Sequence, residues 1–114
     1  MQRELRLTRR EDFNKVYRYG KSAANLQVVI YALPNSKIER FRMGVSVSKK
    51  LGSAVVRNRI RRVMKEIVRH NAERIRPHYD FIVIGRKPVA EMDYAQMEKS
   101  LLHGLKRAQL LKNP

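Results

Sequence analysis

Residues 49–69 read KKLGSAVVRNRIRRVMKEIVR, eight Lys or Arg against a single acid, Glu66, for a net charge of +7. On a helical wheel of about 100° per residue, Val56, Ile60, Val63, Met64 and Ile67 fall in one narrow stripe. Arg57, Asn58, Arg61, Arg62, Lys65 and Arg69 fall on the opposite arc, with Val68 the only apolar intruder. Arg59 sits on the flank near Glu66, where a structural role competes with phosphate contact. The spacing predicts a helix from near Ser53 to about Asn71 that buries one face and presents the other to anions. A solvated basic face usually carries Glu partners at i±4, and these are missing here. Asn58, between two arginines, can both donate and accept toward a phosphate, ribose or base edge.

Upstream of this helix the period changes from 3.6 to 2. Residues 41–48 (FRMGVSVS) alternate, with Phe41, Met43, Val45 and Val47 on one face and Arg42, Gly44, Ser46 and Ser48 on the other. The small second face either admits a neighbouring backbone or ligand closely or is an ordinary solvated face. The pattern leaves both open. Residues 26–33 (LQVVIYAL) form a further strand, closed by the turn chemistry of Pro34-Asn35-Ser36. Downstream, residues 80–85 (DFIVIG) predict a strand buried on both faces inside a sheet covered by helices, stopped by Pro88.

Helices flank this core at both ends. Thr8 and Glu11 have capping-box spacing, Gly20 offers a left-handed stop, and Phe13, Val16 and Tyr17 share a face between them. A last helix is expected from Asp93, with Gln96 three residues on and a core stripe of Met97, Leu101, Leu105 and Ala108. Tyr94 and Leu111 stand at its ends. The element order is that of one α+β domain spanning residues 1–114.

The formal net charge is +16 over 114 residues, of which 43% are hydrophobic. Such an excess needs a polyanion or salt to offset self-repulsion, so nucleic acid leads membrane and acidic protein as the expected partner. The chain has no Cys, which removes disulfides and thiolate chemistry and fits a reducing compartment. The N-terminus has no signal-like apolar run, and no segment approaches the roughly 20 apolar residues of a membrane span. A soluble, cytoplasmic chain is expected. The ten acids form no dense motif for catalytic Mg²⁺, and His70, His78 and His103 lack metal-ligand spacing. No Ser sits in a nucleophile elbow, and the glycines are scattered singly. Neither a catalytic residue nor a metal ligand is expected in the protein itself. Phe13, Tyr17 and Tyr31 are candidate platforms for unpaired bases. Core packing competes for Phe13, while the polar tips of Tyr17 and Tyr31 suit a half-exposed surface.

The basic segment, with its core of Arg57, Asn58 and Arg59, closely resembles the signature of the protein components of bacterial ribonuclease P. The likeness extends to Glu11-Asp12-Phe13-Asn14-Lys15-Val16-Tyr17, to Gly44-Val45-Ser46-Val47-Ser48 and to Arg86-Lys87-Pro88, and covers essentially the whole chain in order. It implies an α-β-β-β-α-β-α two-layer sandwich on a small sheet, with a short extra strand near residues 21–24. It also implies a left-handed βαβ crossover, against the usual preference. In this family a catalytic RNA subunit holds the Mg²⁺ and hydrolyses the bond that frees the mature 5′ end of precursor tRNA. The protein docks on that RNA and guides the single-stranded 5′ leader.

The resemblance assigns Phe13, Tyr17, Tyr31, Ser46, Ser48, Lys50 and Lys87 to the leader cleft. It assigns Lys49, Lys50, Arg57, Asn58, Arg59, Arg61, Arg62, Lys65 and Arg69 to RNA binding through the basic helix. Tyr17 stands where Phe is common and Lys65 where Arg is common; the first keeps stacking, the second weakens bidentate phosphate contact. A ribosomal or general RNA-chaperone protein matches the charge without the signature. The scattered acids disfavour a stand-alone nuclease.

Overall fold

The computed structural model describes residues 2–112. Its elements are α1 (Arg10–Tyr19), β1 (Lys21–Ala24), β2 (Val28–Pro34), β3 (Phe41–Ser46), α2 (Ala54–His70), β4 (Tyr79–Gly85) and α3 (Tyr94–Arg107). Short 3-10 turns lie at Arg3–Leu5, Lys49–Leu51, Ala72–Arg74 and Lys87–Glu91. The strand order is β1-β2-β4-β3, antiparallel except for the parallel pair β3 and β4. The last strand in sequence is thus interior, which accounts for its unbroken apolar run: Phe81, Ile82 and Val83 are all fully buried.

Alternation along the strands divides the interior into two clusters. Ile30, Met43, Phe81 and Val83 point to one face, where Ile60, Met64 and Ile67 of α2 and Met97, Leu101 and Leu105 of α3 cover them. Tyr31, Leu33, Ile82 and Ile84 point to the other, where α1 brings Phe13 and Val16 and the N-terminal segment brings Leu7. The second cluster is small, so α1 covers one end of that face and leaves the other open.

The predicted wheel of α2 holds, with one correction. Val68, placed among the basic residues, is fully buried with the main core. The buried stripe widens toward the C-terminal end of the helix. Ser53 caps α2 by accepting from the Val56 N–H, at 3.3 Å. The Asp93–Gln96 capping box of α3 is present in both directions. Gly104 lets α3 lie close on the sheet, since a Cβ there would stand 2.8 Å from Val28 Cγ2.

The start of the chain departs from expectation. Thr8 and Glu11 form no capping box; α1 begins at Arg10, and its N-cap Arg9 makes no side-chain bond. The Leu7 N–H donates to the Met43 carbonyl at 2.9 Å, and Arg6 bridges to Met43 in parallel. That pairing holds the chain extended too long for Thr8 to reach the helix. Gly20 does end α1, but with φ −76° and ψ 161°, in extended backbone. Glycine is required there for space: a Cβ would meet the Val16 carbonyl oxygen at 2.4 Å. β2 starts at Val28, because Asn25 Oδ1 accepts from the Gln27 and Val28 N–H groups and turns the chain first. Leu26 is left 77% exposed. β3 ends at Ser46, two residues early, although Val47 remains buried. Among the described residues no helix is long and apolar enough to cross a membrane.

Candidate nucleic-acid interface

The open face of the sheet is built from three rows of side chains fixed by strand register. Leu33, Asp80 and Arg42 form the first; Ser22, Tyr31, Ile82 and Gly44 the second; Ala24, Val29, Ile84 and Ser46 the third. α1 lies over the first two rows. All four residues of the third are half-buried, so it forms the floor of a trough beside the helix.

Three rings stand along that wall. Phe13 and Tyr17 have centroids 6.4 Å apart, and Tyr17 meets Tyr31 edge-on at 5.2 Å. Tyr17 is 38% exposed, while Phe13 and Tyr31 are half-buried. The small face of β3 proves to be a close-approach site. A Cβ on Gly44 would fall 2.4 Å from Phe13 Cζ, so the ring rests directly on the strand backbone. Phe13 therefore serves packing as well as surface, and Tyr17 is the more available stacking platform.

Ser46 ends the floor, and Ser48 follows it, exposed, in the turn to Lys49 and Lys50. Lys87 is exposed at the start of the turn after β4. These two turns meet around Gly85, where a Cβ would contact Val89 and Leu51. Because β3 and β4 run parallel, both lysine-bearing turns leave the same end of the sheet, next to the third row.

The basic arc of α2 is nearby. A groove bounded by Thr8 and Phe13, floored by Gly44 and closed by Arg61 and Lys65 joins the trough to the helix. A second depression beside it is lined by Arg6, Asn58, Arg61, Arg62, Lys65 and Glu66. Asn58 Oδ1 accepts from Arg61 Nη1 at 2.9 Å, which orients that guanidinium along the helix. Arg57 Nε donates to the Gly52 carbonyl at 3.2 Å, and Arg62 and Asn58 are exposed.

Two further arginines of the predicted set, Arg59 and Arg69, are tied to other groups of the protein. Arg59 donates to the Ala90 carbonyl at 3.3 Å, tying α2 to the Lys87–Glu91 turn; its partner is this carbonyl and not Glu66. Arg69 forks onto Glu66, with Nε 3.2 Å from Oε2. That hydrogen bond lowers the Glu66 pKa and raises that of Arg69. Phosphate contact by Arg69 competes with this pair.

Several residues of the interface escaped sequence reading. Val29 and Ile84 floor the trough; their phase with Tyr31 along the strands was the available signal. Arg6 and Thr8 reach the grooves only because the N-terminal segment pairs with β3. Asp80 is buried, and accepts from Arg42 Nε and Nη2 at 2.7 and 2.8 Å and from Asn35 Nδ2 at 2.9 Å. Bonding to Asp80 raises the Arg42 pKa. The histidines are separate: His70 pairs with the Tyr94 hydroxyl, His78 with the Ile38 carbonyl and His103 with Asn25. Among the described residues no group of three or more His, Cys, Asp or Glu is placed to hold a metal ion.

The chain and its fold are similar to known proteins. The family model for ribonuclease P matches residues 1–109. The ribonuclease P protein component of Geobacillus kaustophilus is 47% identical over 112 residues, covering 98% of this chain and 93% of its own. That of Listeria innocua is 45% identical, covering 98% and 94%. Among solved structures, the RNase P protein of Staphylococcus aureus superposes with a TM-score of 0.89 at 42% identity, covering 95% of this chain and 98% of its own. That of Thermotoga maritima gives 0.83 at 34% identity, covering 90% and 96%.

Proposed function

Since the chain belongs to the ribonuclease P protein component family, we propose that it divides its surface between two RNA ligands and leaves hydrolysis to one of them. Membership makes it a subunit of a tRNA-processing endoribonuclease with an RNA partner. On the proposed reading, the trough takes the single-stranded 5′ leader of precursor tRNA. Tyr17 and Tyr31 stack on bases, Phe13 buttresses them, and Ser46, Ser48, Lys50 and Lys87 meet the backbone as it leaves the sheet. The basic arc, chiefly Lys49, Arg57, Asn58, Arg61, Arg62 and Lys65, faces the catalytic RNA subunit. Arg59 and Arg69 contribute to the shape and field of that face.

The observation that carries this reading is the groove that runs from Phe13, at the wall of the trough, to Arg61 and Lys65 on the basic helix. A leader held in the trough is thereby delivered beside the RNA bound on α2. Among the described residues the carboxylates form no cluster placed to hold a metal ion. Asp12 and Asp80 share the single charge of Arg42, and Glu66 pairs with Arg69. On the proposed reading the Mg²⁺ required for hydrolysis belongs with the RNA subunit. A chain with this surface acts where RNA is made and processed, which in a bacterium is the cytoplasm.

Reconstitution tests the division of labour. RNA-free protein should leave precursor tRNA uncut, and addition of the matching RNA subunit should restore 5′ cleavage at low Mg²⁺. Cleavage by the protein alone would refute it. Cross-linking from positions Tyr31, Lys50 and Arg62 in the assembled complex separates leader contacts from RNA-subunit contacts.

A further inference from the structure

Asp80 is the only buried charged residue among the described residues, at 4% exposure. It lies in the first row of the open sheet face, at the end of the trough remote from Lys50 and Lys87. Arg42 forks onto both of its oxygens, and Asn35 fills a further acceptor position. The remaining Arg42 nitrogen, Nη1, reaches Asp12 Oδ2 on α1 at 3.4 Å. Exchange of a buried ion pair for apolar side chains is often neutral or stabilising, so stability alone is a weak reason for this arrangement. A planar guanidinium with both ends occupied does something an apolar contact does not: it fixes direction.

α1 has need of such a fixture. It has ten residues, no side-chain N-cap and a single fully buried residue, Val16. A helix that short holds its place only through tertiary contacts. Two contacts pin its first turn to β3: Asp12 to Arg42, and Phe13 to the backbone at Gly44. The pinned residues are adjacent on the helix, and their partners are two apart on one face of the strand. Two such points set the height and the rotation of α1 together. That rotation decides where Phe13 and Tyr17 stand beside Val29, Ile84 and Ser46.

We propose that Asp12, Arg42 and Asp80 form a positioning unit that sets the leader trough without touching RNA. The inference rests on the trough being the leader site. Asp12 transmits the rigid Arg42–Asp80 fork to the helix that carries the rings. Loss of its charge frees α1 to rotate while the core cluster under α2 and α3 stays intact.

The test uses holoenzyme reconstituted with the matching RNA subunit, and measures the Kd of long-leader precursor and of mature tRNA. Asp12→Asn should weaken long-leader binding roughly three- to fivefold, the effect of one modest charge pair, and leave mature tRNA unchanged. Asp12→Glu, which keeps the charge, should recover most of the loss. In the free protein, the ¹⁹F resonance of 4-fluorophenylalanine at position 13 should shift in Asp12→Asn and return toward wild type in Asp12→Glu. Tyr17→Ala is the control for the trough itself. If Tyr17→Ala lowers long-leader affinity and Asp12→Asn does not, the positioning unit is refuted and the trough stands. If neither changes it, both fall. Equal losses for precursor and mature tRNA in Asp12→Asn would also overturn the proposal.

Discussion

Gly44→Ala puts the contact between α1 and the sheet to a quantitative test. The added Cβ would lie 2.4, 2.9 and 3.1 Å from Phe13 Cζ, Cε2 and Cε1. Carbon atoms in contact prefer about 3.5–4.0 Å, so the ring must retreat by roughly 1 Å or more. It cannot slide along the strand freely, because Tyr17 stands beside it and Arg42 holds the preceding residue. Overpacking of this kind costs about 1–3 kcal/mol. Alanine recovers about 0.5–1 kcal/mol of the backbone entropy glycine loses in a strand, leaving a net loss of about 0–2.5 kcal/mol. Phe13→Ala removes the clash partner. In that background Gly44→Ala should be neutral or slightly stabilising, a coupling of at least about 1 kcal/mol between the two sites. Urea denaturation followed by far-UV circular dichroism suits a chain without Trp. Equal losses in both backgrounds would show that Phe13 does not rest on Gly44, and would remove the physical basis for the wall of the trough.

Other perturbations have equally definite outcomes. Asp80→Ala leaves the Arg42 guanidinium half-buried without its main partner and should cost about 3–5 kcal/mol in the same assay; a loss below 1 kcal/mol would mean the pair is solvated. Gln109 holds φ 60° where the Leu110 N–H donates to the Leu105 carbonyl after α3. Gln109→Gly should therefore raise stability by about 0.5–1 kcal/mol, and a decrease would refute the left-handed cap. Glu66, with its pKa lowered by Arg69, adds stability above the ordinary carboxylate pKa, and this is lost as pH falls through the folded-state value. Glu66→Gln should thus flatten the acid limb of the stability–pH curve below about pH 5 and leave the alkaline limb alone. With Arg59 and Arg69 held by Ala90 and Glu66 and Lys50 at the trough, five cations of the basic segment (Lys49, Arg57, Arg61, Arg62 and Lys65) remain for the RNA subunit. Affinity for the RNA subunit should then fall roughly 500-fold between 50 and 200 mM salt, and a flat response would refute a phosphate-dominated interface.

The legibility of the interface varied with the kind of signal each residue carries. Helix α2 was readable because burial of Ile60, Met64 and Ile67 imposes a 3.6 period that no strand shares. Tyr17 and Tyr31 could be picked out as half-exposed because an aromatic body with a polar tip suits such a surface. The Thr8 cap failed because capping is decided by where the preceding residue is held, and Leu7 is held by a strand 36 residues later in sequence. Asp80 opens the strand predicted for residues 80–85, but nothing near it in sequence shows what would pair with its charge. Its burial depends on Arg42 and Asn35 arriving from elsewhere.

By itself the sequence determined the helix and strand periods, the excess of positive charge and its concentration on one helix face, and the signature around Arg57-Asn58-Arg59 that marks the family. These are local properties: each follows from side chains within a few residues of one another. The tertiary structure alone decided that β4 inserts between β2 and β3, that Phe13 rests on Gly44, and that Asp12, Arg42 and Asp80 meet. Each joins segments roughly 30 or more residues apart, where a period or a motif carries no information. The close approach of chains decides them instead, and with them the shape of the trough beside the basic helix.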